Sequence, residues 1–417
     1  MTMSQFLLSE ALKTYYANLL IAETKRNILK MSFMTLYYFE YIDSRKGVKM
    51  GRLEEKIGRI IGAVHMEQMD RVPFVSSGSA VNAAITGVKL SDYCSNMEIN
   101  MEANLKGVLS YSDPDAVQVT IFEPQALSTL WLGKVEIPGR DLPDNELWQM
   151  HEAENVTQED YDIILENGFG PWYQQVLATR VGNPDLSNMM AYMGPSIGAF
   201  MQAGLPCVCG GNLYGPIELF CGGRTLMNFF AEDLLEIPDK VEAVFDVVQE
   251  FNLANWRQQY SDPATRPIAV WVGGWRGTPD LLSPEMFRRF SWKYLREVAE
   301  MCLELGIIPL MHLDSDWTNG LDVFRDLPKA SCILALDGKT DIFNAKKVIG
   351  DHCCIMGDVP AQLLSFGTPE EVDAYCKRLI YEIGPTGFIL SSGCDAPYNS
   401  KFENLKAMAE SVHKYKF

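Results

Sequence analysis

From residue 70 onward the sequence alternates between short apolar runs and longer segments of helical pattern, and this alternation restricts the fold more than any other feature. Asp70-Arg71-Val72-Pro73-Phe74-Val75 opens the series as a strand. Further strands are expected over residues 117–121, 206–210, 268–272, 307–313, 332–336, 354–356 and 388–390, with helices between them. Strictly alternating β and α elements dictate a parallel sheet with helices outside it. Seven or eight such strands favour a closed (β/α)8 TIM barrel over an open doubly wound sheet. No Gly-x-Gly-x-x-Gly follows a strand and no P-loop is present, which argues against nucleotide-binding folds. Two helices carry strong start signals. Ser283-Pro284-Glu285 and Thr368-Pro369-Glu370-Glu371 each combine a capping hydroxyl, proline in the first turn and acid behind it.

Ahead of the barrel, residues 9–44 read as a helix closed by Ser44-Arg45-Lys46-Gly47, and residues 51–64 as a second, shorter one. The expected division is an N-terminal helical extension over 1–60, with packing or homodimerisation as its role, and a barrel over 61–417. Residues 138–170, turn-rich and then acidic and helical, read as an insertion after a strand, on the face where a barrel carries its site.

The net charge of −18 repels phosphate backbones and anionic lipid, and no basic patch offsets it. Neither nucleic acid nor membrane is expected as a partner. The first ten residues lack a basic start with an apolar core, and the apolar stretch over 31–42 is broken by Glu40, so a cytoplasmic location is expected. Ten cysteines in 417 residues are too sparse for a disulfide framework.

The chemistry concentrates at strand ends. In Met311-His312-Leu313-Asp314, residues two apart on a strand face the same way, so His312 and Asp314 converge. The apolar run at 387–393 ends in Cys394. As parallel barrel strands, the two runs deliver His312, Asp314 and Cys394 to one C-terminal mouth. An imidazole, a carboxylate and a thiolate suit Zn2+, and three protein ligands leave an open catalytic position. The alternative is a hydrogen-bonded His312–Asp314 pair with Cys394 in the core. Cys207 with Cys209, and His352 with Cys353 and Cys354, are rival clusters that read better as packing. Trp271, Trp275, Trp317 and Tyr398 stand where loops follow strands and are candidates for lining a substrate pocket, with Phe366 a further one. The alternative for these is core. Asp316 is a candidate acid. Glu218 reads as a hydrogen-bonding support.

Gly367-Thr368-Pro369-Glu370-Glu371-Val372, the run Gly387-Phe388-Ile389-Leu390-Ser391-Ser392-Gly393-Cys394, Glu403-Asn404-Leu405, Asp70-Arg71-Val72-Pro73 and Gly215-Pro216-Ile217-Glu218-Leu219 together resemble the uroporphyrinogen decarboxylase superfamily. Within it the chain is similar to the corrinoid-linked zinc methyltransferases, which carry a His-x-Cys pair after one strand and a final cysteine after the last. That resemblance implies a zinc site in which His312 and Cys394 match and Asp314 replaces a cysteine. It also implies a corrinoid supplied by a separate protein. Residues 74–80 contain no arginine, whereas the decarboxylases carry an arginine-rich stretch there for substrate carboxylates. A carboxylate in place of a thiolate leaves the metal a stronger Lewis acid, which suits cleavage of a methyl ether. The expected activity is therefore transfer of a methyl group from an O-methyl donor, such as an aromatic methyl ether, to the cobalt of the corrinoid protein. Transfer from a methylcorrinoid to a thiol, and a metal-free decarboxylase-like barrel, are the alternatives.

Overall fold

The computed structural model describes residues 50–417. The helix expected over 9–44 lies outside the described residues. Ten strands occur in chain order. β1 (Val75–Ser76) and β2 (Ala116–Val117) form a parallel pair, and β3 (Lys134–Glu136) and β4 (Gln149–His151) an antiparallel hairpin. β5 (Cys209–Tyr214), β6 (Ala269–Gly274), β7 (Ile308–Leu313), β8 (Ile333–Leu336), β9 (Cys354–Val359) and β10 (Phe388–Ser392) form a parallel sheet in sequential order. Bridges Phe74–Leu390 and Val117–Cys207 join β1 to β10 and β2 to β5, closing an eight-stranded parallel barrel. All eight expected strands are present. The hairpin belongs to the inserted region. There the acidic stretch starts as strand β4, and its helix begins only at Gln158.

β5 falls later than expected. The expected run ends at Gly210, while the fold carries the strand on through Gly211-Asn212-Leu213-Tyr214. The fold uses those glycines as strand. A Cβ at Gly210 would lie 2.2 Å from Pro267, and one at Gly211 2.3 Å from the Tyr260 hydroxyl. The register also slips between Cys209 and Asn212, a bulge that absorbs the extra residue.

The helix Met50–Val64 runs across the expected boundary at residue 60. Leu53, Ile57, Ile60 and Val64 recur at helical spacing and are at most 3% exposed. They pack with Val75, Ala116, Ile308, Ile333, Cys354 and Ile389, the inward side chains of the barrel. The helix therefore caps the N-terminal end of the barrel. An ionic cluster fixes it there. Asp115, fully buried, accepts from Arg71 Nη1 (2.6 Å) and Nη2 (2.8 Å), Arg59 Nη1 (3.0 Å) and the Phe74 amide (2.9 Å). Both expected helix starts are present: Ser283 accepts from the Met286 amide, and Thr368 and Glu371 form a capping box.

One buried acid makes stability depend on pH. Asp358 accepts a 2.7 Å bond from the Tyr375 hydroxyl, yet burial pushes its pKa up to about 7. The folded chain thus holds this proton to higher pH than the unfolded chain. The contribution is full below the unfolded value of about 4 and is lost as pH rises through about 7. Asp358→Asn should flatten this slope, which amounts to a few kcal/mol at most. Urea unfolding at pH 5 and pH 8 measures it, and an equal slope in both proteins would refute the assignment.

Candidate metal centre

His312 is the fifth residue of β7 and points into the barrel, level with Gly273 on β6 and Ala335 on β8. It is 4% exposed, and Trp271 stacks on its ring at 4.5 Å between centroids and 21° between planes. Trp271 is itself held by a 2.8 Å bond from Nε1 to Gln118 Oε1. Burial lowers the His312 pKa to about 4, so the imidazole is neutral, as a metal ligand must be. Its Nδ1 is buried without a hydrogen-bond partner.

Asp314 follows β7 directly, and a clamped turn sets its carboxylate. Its amide donates to the Gly274 carbonyl (3.1 Å), and its own carbonyl accepts from Trp317 Nε1 (2.8 Å). Ser315 then takes a positive φ of 70°, uncommon for a non-glycine residue, and donates its amide to Asp337 (2.9 Å). Desolvation, then the nearby charges of Asp337 and Glu218, push the Asp314 pKa up to about 7.

Cys394 lies two residues beyond β10. Gly393 allows this approach, because a Cβ there would lie 2.5 Å from the Asp337 carbonyl oxygen. The loop is stitched to the one after β1: Asp395 accepts from the Ser79 amide (3.2 Å) and hydroxyl (2.5 Å), and the Ala396 amide donates to Ser77 (3.1 Å). Residues 74–80 thus serve here to hold the Cys394 loop. Protein surrounding the sulfur, with Asp314 beside it, pushes the thiol pKa up to about 12 even though the residue reaches solvent.

His312 Nε2 stands 3.4 Å from Asp314 Oδ1 and 3.6 Å from Cys394 Sγ, and all three donor atoms lie within 4.8 Å of one another. Bonds of about 2.0–2.3 Å from a tetrahedral zinc would space its ligands roughly 3.3–3.8 Å apart. The two spacings from His312 fall in that range, and the set as a whole, spanning 4.8 Å, closes on such an ion with a small inward turn of the Asp314 carboxylate. The electrostatics agree, since the groups that resist ionisation here are those a dication would stabilise as anions. Among the described residues this is the one cluster of three such side chains. Cys353 and Cys354 are fully buried, and Cys353 meets Cys332 at 3.5 Å.

The other candidates separate. The Trp275 ring covers Gly273, the strand neighbour of His312, as the 2.2 Å approach of a Gly273 Cβ to that ring shows. Trp317 is fully buried beneath the site, against Phe287 and Phe324, and supports Asp314 rather than lining a pocket. Asp316 is exposed and caps the next turn through the Thr318 amide (2.9 Å). Tyr398 packs against the core cluster around Tyr93 and Val135, and Phe366 is 74% exposed. Glu218 is buried and accepts from the amides of Trp275 (3.0 Å), Arg276 (2.9 Å) and Gly277 (3.2 Å), which shapes the loop after β6. The sequence reading missed Asp337, Gln118 and Trp131. Each supports or flanks the site through contacts between distant segments, for which no local pattern exists.

A family model described as uroporphyrinogen decarboxylase (URO-D) matches residues 181–415. The chain belongs to the uroporphyrinogen decarboxylase family. Among its relatives, a methylcobamide:CoM methyltransferase MtbA of Methanosarcina mazei is 25% identical over 211 residues, 50% of this chain and 58% of that protein. A uroporphyrinogen decarboxylase of Coxiella burnetii is 28% identical over 188 residues, 44% of this chain and 49% of that protein. The chain thus spans about half the length of these two relatives. A solved methyltransferase from Methanosarcina mazei shares the fold, with a TM-score of 0.65 at 18% identity over 85% of this chain and 97% of that one. This member of the uroporphyrinogen decarboxylase family has no helix, among its described residues, long and apolar enough to cross a membrane.

Proposed function

We propose that this protein is a zinc-dependent methyltransferase that passes a methyl group between a corrinoid carried by a separate protein and a small molecule seated in the barrel mouth. The observation that carries the reading is the convergence of His312, Asp314 and Cys394 within 4.8 Å at the C-terminal end of the barrel. A relative named as a methylcobamide:CoM methyltransferase supports transfer from methylcorrinoid to a thiol as the first direction to consider.

When bound, zinc supplies Lewis acidity that makes a thiol or an oxygen easier to ionise near neutral pH. The chain's own residues do the rest. Neutral His312, held flat by Trp271, presents one nitrogen. Asp314 and Cys394 contribute two negative charges that offset a dication. Trp275 covers the adjacent backbone at Gly273 and walls one side of the site. In the thiol direction the sulfur gives up its proton and forms the new carbon–sulfur bond. The carbon–cobalt bond breaks with its electron pair left on cobalt.

Asp314 favours a second reading. Its oxygen donates less electron density than a thiolate would, leaving a stronger Lewis acid suited to a methyl ether. In that direction the ether carbon–oxygen bond breaks with its pair on oxygen, and reduced cobalt takes the methyl group.

Two assays separate the directions. Methylated corrinoid protein is mixed with a panel of small thiols, and reduced corrinoid protein with methoxylated aromatics, while cobalt absorbance is followed. Loss of the methylcobalt spectrum with a thiol supports the first direction, and its appearance with an ether the second. No spectral change in either mixture with zinc-loaded protein would defeat the proposal.

A further inference from the structure

Among the described residues, the buried arginines Arg59, Arg71 and Arg224 are each bound to protein acceptors. Arg71 spends its guanidinium on Asp115 and the Val72 carbonyl, Arg59 on Glu55, Asp70 and Asp115, and Arg224 on Glu154, Glu232, Asp233 and the Val156 carbonyl. Arg276 differs. Its side chain is 24% exposed and forms a long ion pair with Glu152 at 3.8 Å, but its Nη1 is buried and makes no hydrogen bond. That Glu152 oxygen already accepts from the Leu226 amide (2.5 Å).

A second buried donor without a partner lies alongside. The Arg276 guanidinium sits 5.4 Å over the Trp131 ring, and Trp131 Nε1 is likewise buried and unpaired. Trp131 meets Trp275 edge-on at 5.6 Å and 71°. Trp275 in turn covers Gly273 beside His312. The corner therefore lies next to the metal-ligand set and shares a wall with it. Rigid elements hold both donors. Glu218 fixes the Arg276 backbone, and a Cβ on Gly222 would lie 2.0 Å from the Trp131 carbonyl oxygen, so the helix Pro216–Gly223 packs directly on Trp131. Unpaired buried donors are costly, and two in one corner call for an acceptor.

We propose that Trp131 and Arg276 form an oxyanion subsite that selects a small-molecule reactant bearing a carboxylate or similar oxyanion at the end away from the reacting atom. The planar guanidinium fork suits such a group, and the indole N–H adds a second direction. The proposal deepens the functional reading above and rests on it for the identity of the reacting atom.

The test is calorimetric titration of the zinc-loaded full chain with two matched pairs: 3-mercaptopropionate against 3-mercaptopropanol, and 4-methoxybenzoate against 4-methoxybenzyl alcohol. At least one anion should bind about tenfold or more tightly than its neutral partner, the scale of a lost charge-assisted hydrogen bond. Arg276→Gln should abolish that preference while leaving the neutral ligand and the zinc content unchanged. Trp131→Phe, which keeps an aromatic face but removes the N–H together with the five-membered part of the indole, should lose part of it, and thermal unfolding checks that both variants fold. Cys394→Ala should retain the anion preference even without metal, so failure of the metal reading and failure of this subsite are distinguishable. No preference in either pair, or equal weakening of anion and neutral ligand by Arg276→Gln, would overturn the subsite and leave the corner to water.

Discussion

Cys394→Ala should leave the purified protein without metal and without methyl transfer. His312, Asp314 and Cys394 are the proposed ligands, and removing the thiolate leaves two. The loss should exceed the 10–100-fold typical of outer-shell changes at metal sites, so metal affinity should fall by about a hundredfold or more. Elemental analysis should drop from near one zinc per chain to background, and His312→Ala should do the same. The fold should survive the cysteine change, because Cys394 reaches solvent on a loop after the last barrel strand. Protons should compete for the site. Burial raises the Asp314 pKa to about 7 and the Cys394 pKa to about 12 without metal, so uptake at neutral pH should release protons and weaken as pH falls, more steeply below about 7, where Asp314 also holds a proton. Zinc retained at wild-type levels in both variants would falsify the metal centre.

The largest expected effect on stability lies at the other end of the barrel. Asp115→Ala removes the carboxylate shared by Arg59, Arg71 and the Phe74 amide, and strands the guanidinium of Arg71 in the interior. Breaking a buried pair in this way costs about 3–5 kcal/mol. Lys106→Ala is the contrast. Its partner Glu102 is one helical turn away, both side chains are exposed, and the loss should stay below about 0.5 kcal/mol. Denaturant unfolding of the two variants side by side checks the difference. Similar values for both would mean that the Asp115 cluster contributes no more than surface charge does.

The barrel was legible because its strands are buried on both faces and read as apolar runs, and because proline and hydroxyl residues mark helix starts such as Ser283 and Thr368. β5 slipped because Gly210 and Gly211 serve close packing against Pro267 and Tyr260, a tertiary demand that no local pattern marks. At the site, alternation along a strand placed His312 and Asp314 on one face, and parallel topology brought Cys394 to them. The aromatics divided less predictably. Trp271 and Trp275 flank the site, whereas Trp317, equally near in sequence, turns inward to bind the Asp314 carbonyl. Trp131 and Arg276 could not be found in advance. They are distant in sequence, and only the folded chain reveals that each donor lacks a partner.

The helix Met50–Val64 has a kinetic consequence. With its apolar stripe seated against the inward side chains, the barrel is a cup with one doorway rather than a tube. Two reactants that meet inside must queue at the same rim. Under the proposed reaction, a small molecule is expected to enter before a bulky carrier docks on that rim and to leave after it, an order of arrival and release that steady-state kinetics would read.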